Sequence, residues 1–309
     1  MFIIINPFAA GSTALTKWKI LENSLPLDKH SCSMHFMNGK TSFSQLIQNA
    51  LTNGQREFIA AGGDGTVNFL LNSLLKYSKP GIQRDIKIGA IGIGSSNDFH
   101  KPFNGLERDQ IPVKINFEKT KLRDVGFLKF INDKKSIIKY FLINASIGLT
   151  AEANHLFNKP DRVLKRLKKG STASAIYYAA LKAIFLYRNL NAELECNIKG
   201  RIKTKITNMG IVKSPYFSGD LCYNSPMNLG NGFYDIHLCE DLSKVNSLFL
   251  LWALEYNKLE KISKLKSWKT NQILVSADKF FTVEYDGETI KTKSVEFGIL
   301  KKQIKVCVS

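Results

Sequence analysis

The stretch Phe58-Ile59-Ala60-Ala61-Gly62-Gly63-Asp64-Gly65-Thr66-Val67-Asn68 sets an apolar run directly against three glycines and an aspartate. A segment of helical period follows, with apolar residues at Phe69, Leu70, Leu74 and Leu75. Few folds accommodate this order, and all of them place a buried strand, a tight loop and a helix N-terminus in succession. Glycine permits positive φ and lets backbone amides approach phosphate oxygens, while the unpaired amides and positive dipole of the following helix favour an anion. Thr66 adds a hydroxyl donor. Asp64 would repel bare phosphate, so its carboxylate points to a bridging magnesium ion or ordered water. A strand-to-helix turn in which Asp64 or Thr66 caps the helix fits the same residues with no ligand. Spacing alone leaves both readings open.

The rest of the chain divides in texture. Up to about residue 119, short apolar runs (Phe2 to Ile5, Cys32 to Met37, Glu57 to Ala61, Ile86 to Ile93) alternate with helical stretches at Thr16 to Ser24, Phe43 to Leu51 and Val67 to Tyr77. This pattern predicts an α/β nucleotide-binding domain with a mainly parallel sheet over residues 1–119. Residues 120–309 read as a second domain, a mostly antiparallel β-sandwich with a helical insertion at Pro160 to Asn189. A further helix is expected at Ser243 to Leu254, capped by Ser243. With 309 residues and 44% hydrophobic content, the chain can bury two cores.

Three segments carry a family resemblance. Gly62-Gly63-Asp64-Gly65-Thr66 is similar to the signature shared by diacylglycerol kinases, related bacterial lipid kinases and NAD kinases. Asn6-Pro7-Phe8-Ala9-Ala10-Gly11 resembles that superfamily's Asn-Pro-x-Ala/Ser-Gly loop, with one residue more between Pro7 and Gly11. Gly94-Ser95-Ser96-Asn97-Asp98-Phe99 resembles the Gly-Thr-x-Asn-Asp-Phe element of the lipid-kinase branch, which NAD kinases lack. The resemblance implies an NAD kinase-like first domain and ATP- and magnesium-dependent phosphorylation of a membrane lipid hydroxyl. Diacylglycerol, converted to phosphatidic acid, is the leading acceptor, with sphingoid and polyprenol lipids as alternates. It implies nucleotide contacts at Asn6, Pro7, Gly11, Gly62, Gly63, Gly65, Thr66, Asn68, Ser95, Asn97 and Asp98, and a catalytic part for Asp64.

Asp286-Gly287 between alternating residues signals a tight β-hairpin. In the resembled family, the late Asp-Gly-Glu faces the phosphate loop across the interdomain cleft and its glutamate is the general base. That role falls here to Glu288, with Asp286 orienting or binding metal. Asn144-Ala145-Ser146-Ile147-Gly148-Leu149 resembles the turn that opens the family's lipid-domain site, and an ordinary strand-ending turn accounts for it equally. The loop from Asn224 to Phe233 aligns with one in which an aspartate binds a structural magnesium. Asn231 stands at that position, a weaker ligand, beside Asn228 and Phe233. This departure keeps a second reading open, a nucleotide- or lipid-binding regulator with weakened catalysis. Met37 lies where the family often has a nucleotide-contacting threonine.

Other motifs fail. Gly39-Lys40-Thr41 mimics the end of a P-loop, but Met34 occupies the position of its first glycine. Gly92-Ile93-Gly94 begins a dinucleotide fingerprint whose third glycine is Asn97. His30, His35, His100, His155 and His237 lack metal-ligand spacing, and five scattered cysteines read as free thiols.

A net charge of +18 favours an anionic partner. With no base-reading module the expectation is an anionic membrane surface rather than nucleic acid. The cluster Lys159, Arg162, Lys165, Arg166, Lys168 and Lys169 beside Val163, Leu164 and Leu167 suits lipid headgroups, and Lys258, Lys261, Lys264, Lys266 and Lys269 extend it. No apolar run reaches the roughly 20 residues of a membrane span, and no export signal opens the sequence. A cytoplasmic, peripherally membrane-associated protein is expected, and a homodimer is left open.

Overall fold

A computed structural model describes residues 1–22, 24–25, 32–37, 43–103, 107–108, 110–197 and 199–308. His30 and Gly39-Lys40-Thr41 lie outside the described residues. Two compact units form, Met1–Val125 with Lys301–Ser309, and Gly126–Leu300.

The first unit begins with β1 (Phe2–Ile5), α1 (Ala14–Leu21), β2 (Ser33–Phe36), α2 (Phe43–Thr52), β3 (Glu57–Gly62), α3 (Asp64–Tyr77) and β4 (Lys87–Gly92). Short β5 (Glu107–Arg108) and β6 (Ile111–Lys114) follow, then the start of β7 (Thr120–Asn132). β1 pairs in parallel with β2 and β3, and β3 in parallel with β4. β1 is buried throughout and β3 and β4 beyond their first residues, as expected of strands covered on both faces. Ile3, Ile5, Ile59, Ala61 and Ile91 alternate onto one face and join Ala14, Trp18 and Leu21 of α1 in a single cluster.

Dividing the sequence at residue 119 assigns the whole C-terminal tail to the second domain, and the structure corrects this. Lys305 and Val306 pair in parallel with Lys87 and Ile88 of β4. The Lys302 amide donates to Asp124 at 2.8 Å. Nothing local in a β-rich tail distinguishes a residue that closes one sheet from a residue that closes another, because both alternate alike.

The second unit continues β7 into β8 (Lys135–Phe141), β9 (Asn144–Gly148), α4 (Leu149–Asn158), α5 (Arg162–Gly170) and α6 (Thr172–Leu186). Then come β10 (Leu190–Cys196), β11 (Gly200–Val212), β12 (Tyr216–Phe217), β13 (Leu221–Cys222), β14 (Tyr234–Glu240), α7 (Lys244–Glu255), β15 (Leu265–Thr270), β16 (Gln272–Tyr285) and β17 (Glu288–Cys307). The antiparallel pairing is continuous. β15, β14 and β11 are followed by β10 and β9, which share the same side of β11, then by β16, β17, β7 and β8. The expected sandwich is thus one ladder curled on itself, with register irregularities at Ser276/Phe281 and Ile206/Asn208. Phe141 of β8 stacks on Tyr234 of β14 at 5.8 Å between ring centroids, and both sit in one core with Leu194, Met209, Val283 and Phe297.

Helix boundaries show where local signals sufficed. Ser243 caps α7 by accepting the Asn246 amide at 3.2 Å, as its sequence predicts. The single expected helix at Pro160 to Asn189 is two, α5 and α6, each opened by its own cap, Asp161 on Leu164 N and Ser171 on Ser174 N. α4 carries no cap at its own N-cap, Gly148; Asn208 of β11 accepts the Thr150 amide instead, at 3.0 Å. A cap from 58 residues away leaves no local trace.

His100, buried in the first unit with Nδ1 unpartnered among the described residues, has its pKa pushed down from 6.5 to about 3 by burial and by the Lys114 charge. The folded chain therefore keeps it neutral where the unfolded chain binds a proton. Stability from this site is complete above pH 6.5 and falls as the pH drops toward 3, by at most about 1.4 kcal/mol per pH unit. In thermal melts between pH 7 and pH 4, His100→Gln is expected to show a shallower acid decline than the parent; equal slopes would refute the assignment.

Candidate functional site

In the first unit, three loops at the C-terminal ends of β1, β3 and β4 meet. The Asn6 amide donates to Ala61 O at 2.8 Å, and Asn6 Nδ2 donates to Thr66 Oγ1 at 3.1 Å. Gly94 N donates to Gly62 O at 3.1 Å. A methyl group built at Gly94 would lie 2.3 Å from Gly63 Cα, and one at Gly62 would lie 2.2 Å from Thr66 Oγ1. Among the described residues, positive φ occurs at Gly11 but not at Gly62, Gly63, Gly65 or Gly94. Close approach of one loop to the other at Gly63 and Gly94, and the Thr66 side chain at Gly62, rather than left-handed backbone, are why glycine is required there.

Asp64 is the first residue of α3, and its carboxylate turns toward the third loop. Oδ2 accepts the Asp98 amide at 3.1 Å and Oδ1 the Phe99 amide at 2.9 Å. Burial raises its pKa, while these two amides and the Lys101 charge pull it back. Asp98 in turn pairs with Lys101 Nζ at 3.0 Å. The N-cap of α3 is Gly63, which has no side-chain cap. Neither Asp64 nor Thr66 caps the helix, so the ligand-free capped turn is not what forms.

The remaining expected contacts separate into two groups. Asn97 sits in left-handed backbone at φ 52°, and its amide group clamps its own loop, accepting from Gly94 N at 3.1 Å and donating to Gly92 O at 2.8 Å. Asn68 is buried on α3 and accepts from Asn72 Nδ2 at 3.0 Å. Ser95 is exposed at the loop tip, Gly65 is partly open in the first turn of α3, Pro7 precedes the turn Ala9–Ser12, and Gly11 lies within it, exposed. Sequence reasoning passed over Lys17 of α1, whose Nζ reaches Gly94 O at 3.4 Å. A lone lysine on an amphipathic helix gives no signal of such a contact.

The second unit holds the other carboxylates. Asp286 and Gly287 form the two-residue turn between β16 and β17, both with positive φ (43° and 88°), and Tyr285 faces Glu288 across it. Asp286 is buried, and its carboxylate accepts three successive amides, Leu142 at 2.7 Å, Ile143 at 2.9 Å and Asn144 at 3.2 Å. The segment Asn144 to Leu149, for which a strand-ending turn is one reading, is strand β9 running into α4, and the chain bends just before it at Leu142 and Ile143. Glu284, not singled out from the sequence, is buried two residues earlier and accepts Ser146 Oγ at 2.9 Å and the Gly287 amide at 2.8 Å. Asn158 Nδ2 of α4 donates to Gly287 O at 2.8 Å. Glu288 is exposed, with no side-chain hydrogen bond or ion pair among the described residues. Of the three expected catalytic carboxylates, Asp64 and Asp286 are tied to backbone amides and Glu288 is free.

The proposed structural-magnesium loop does not fit a metal. Asn228 Oδ1 accepts Asn231 Nδ2 at 2.8 Å, and Asn231 Oδ1 accepts the Phe233 amide at 3.0 Å. Asn228 Nδ2 donates to Asp235, itself paired with Lys269 at 3.4 Å. The Asn228 carbonyl accepts Lys213 Nζ at 3.2 Å, and Lys213 is fully buried beside the Tyr234 ring. Protein donors and an ammonium thus occupy the oxygens of Asn228 and Asn231 that a divalent ion would need. No group of three or more His, Cys, Asp or Glu side chains among the described residues could hold a metal.

The comparisons with known proteins agree with this geometry. Residues 1–127, the segment that holds all three glycine-containing loops, match the family described as the diacylglycerol kinase catalytic domain. Over these residues the chain is similar to that family. Three solved structures of Bacillus anthracis str. Sterne proteins assigned as diacylglycerol kinases share the fold of the whole chain. Their TM-scores are 0.68, 0.64 and 0.69 at 18%, 17% and 17% identity. Each alignment covers 100% of this chain and 96% of the other. No curated protein matches the chain. Within the matched segment, the glycine-containing loops are the residues that pack the ends of β1, β3 and β4 together.

Two outcomes test these assignments. Asp286→Ala strands three buried amides and is expected to lower unfolding free energy by at least about 3 kcal/mol, with Asp286→Asn intermediate; a stable alanine variant would remove the anchor from the account. Chelator or added magnesium is expected to leave the unfolding midpoint unchanged, while Lys213→Met costs about 1.5–3 kcal/mol for a lost charged hydrogen bond; a midpoint that rises with magnesium would restore the metal.

Proposed function

We propose that this chain is an ATP- and magnesium-dependent lipid kinase that phosphorylates the hydroxyl of a membrane lipid, with diacylglycerol the leading acceptor. The observation that carries the reading is the uncapped N-terminus of α3 at Gly63, with close backbone approach between Gly63 and Gly94, inside the segment matching the catalytic-domain family. Unpartnered amides at a helix N-terminus, with no side chain shielding them, attract phosphate oxygens. Ser95, exposed at the neighbouring loop tip, adds a hydroxyl.

The protein's own part in the transfer is positioning and proton management. Backbone amides around Gly63 to Gly65 hold the phosphate chain, and Asp64 fixes the third loop against it through the Asp98 and Phe99 amides. Glu288 accepts the proton of the lipid hydroxyl as its oxygen bonds to the γ-phosphorus and the bond to the β-phosphate oxygen breaks, releasing ADP. Glu288 suits that role because it alone of the three carboxylates is unengaged among the described residues. Magnesium bound with the triphosphate would neutralise phosphate charge, and Asp64, within the glycine loop, is the carboxylate that would hold it.

The test is transfer of labelled phosphate from ATP to a mixed lipid extract, with products identified by mass. The parent is expected to label a lipid, and Glu288→Gln to fall by about 100-fold or more with nucleotide binding intact. A parent that binds ATP and labels nothing would support a regulator of the same fold.

A further inference from the structure

The second unit exposes an apolar surface that its own core does not use. On α7, Val245, Leu248, Phe249, Trp252 and Tyr256 recur at helical spacing and are 73%, 39%, 40%, 38% and 58% exposed. The opposite side of the same helix, Leu250, Ala253 and Leu254, is buried in a cluster with Ile184 of α6. α7 is therefore apolar on both sides, which a helix at a water-facing surface does not normally maintain. Phe249 and Trp252 stack at 5.0 Å, and Trp252 and Tyr256 lie 5.5 Å apart, so the aromatic residues form one strip. On adjoining α6, Leu181, Phe185 and Leu186 are 41%, 68% and 66% exposed.

The rim of this surface is cationic. Lys261 Nζ lies over the Trp252 ring at 5.6 Å, and Lys258 is exposed beside it in sequence. From Lys244 to Lys269 there are six lysines and two glutamates. Glu260 is held by Asn224 at 2.9 Å, and Glu255 faces Tyr177 of α6. Four of the six lysines are engaged elsewhere: Lys244 Nζ is directed to the carbonyls of Ile184 and Tyr187, closing the end of α6, Lys264 Nζ to Asp241 O at 3.0 Å, Lys266 to Glu240 and Lys269 to Asp235, so Lys258 and Lys261 form the rim. Stacked Trp, Tyr and Phe bordered by lysine match an interface that is apolar within and anionic at its edge.

We infer that the outer face of α7 with the end of α6 docks onto an anionic lipid bilayer. Charge decides against a second copy of the chain as occupant, because an isologous contact would bring two such lysine rims together on molecules of net charge +18. The choice of a bilayer over an acidic protein rests on the lipid-kinase reading, which places the acceptor in a membrane. The sequence places the membrane contact on the basic cluster from Lys159 to Lys169, extended by the run from Lys258 to Lys269; the aromatic half of the surface lies on α7, which its capped, apolar sequence marks only as a helix.

The experiment is vesicle flotation of the full chain without ATP, using phosphatidylcholine vesicles with and without phosphatidylglycerol, and brominated lipids to quench tryptophan. The parent is expected to float with the anionic vesicles, with quenching of the exposed Trp252. Phe249→Gln/Trp252→Gln is expected to weaken binding at least 10-fold with an unchanged melting curve, since both side chains are exposed. Lys258→Glu/Lys261→Glu is expected to do the same in a salt-dependent way. A parent that ignores anionic vesicles, or a Phe249/Trp252 variant that binds as well as the parent, overturns the proposal. So does a dimer in sedimentation that the same variant dissociates. Vesicle binding without phosphate transfer to any lipid would instead count against the kinase reading and leave the docking face standing.

Discussion

Backbone amides without a partner in their own segment, answered by a carboxylate from elsewhere, hold both units in the form that matters. Asp286 gathers the amides of Leu142, Ile143 and Asn144, and so fixes the bend from β8 into β9 against the β16–β17 turn. Asp64 does the same at smaller scale, joining the start of α3 to the loop at Asp98 and Phe99. A carboxylate accepting several amides is strongly favoured, and its removal leaves each buried donor uncompensated. Both aspartates belong to Asp-Gly pairs that chemistry alone would mark for metal or proton work. Their geometry makes them anchors of the backbone.

The same division runs through the glycines. Gly63 and Gly94 are explained by the distance between loops, since a methyl group at Gly94 would press into the backbone of its neighbour, and Gly62 by the Thr66 side chain beside it. A phosphate cradle needs that closeness too, because amides presented by an open, side-chain-free loop are what an anion approaches. Structural and ligand-binding reasons for these glycines therefore coincide.

Lys213 illustrates how a fold dispenses with an ion. Its ammonium meets the Asn228 carbonyl in a fully buried setting, while Asn231 and Asn228 satisfy one another and the Phe233 amide. A neutral asparagine at position 231 is consistent with a loop whose positive charge is already built into the chain.

Local chemistry was readable where its partners are near in sequence. The parallel-type strands and helices of the first unit, the Ser243 cap and the Asp286-Gly287 hairpin each rest on residues within a few positions of one another, so period and turn chemistry sufficed. What tertiary structure alone decided are pairings across long separations. Residues 305 and 306 close the sheet beside β4, Asn208 caps α4, buried Lys213 meets the Asn228 carbonyl, and the row from Val245 to Tyr256 is left uncovered. Sequence sets which groups need a partner, because propensity and polarity are properties of the residue; which partner answers depends on what the folded chain brings within about 3 Å, and that distance is written nowhere along the chain.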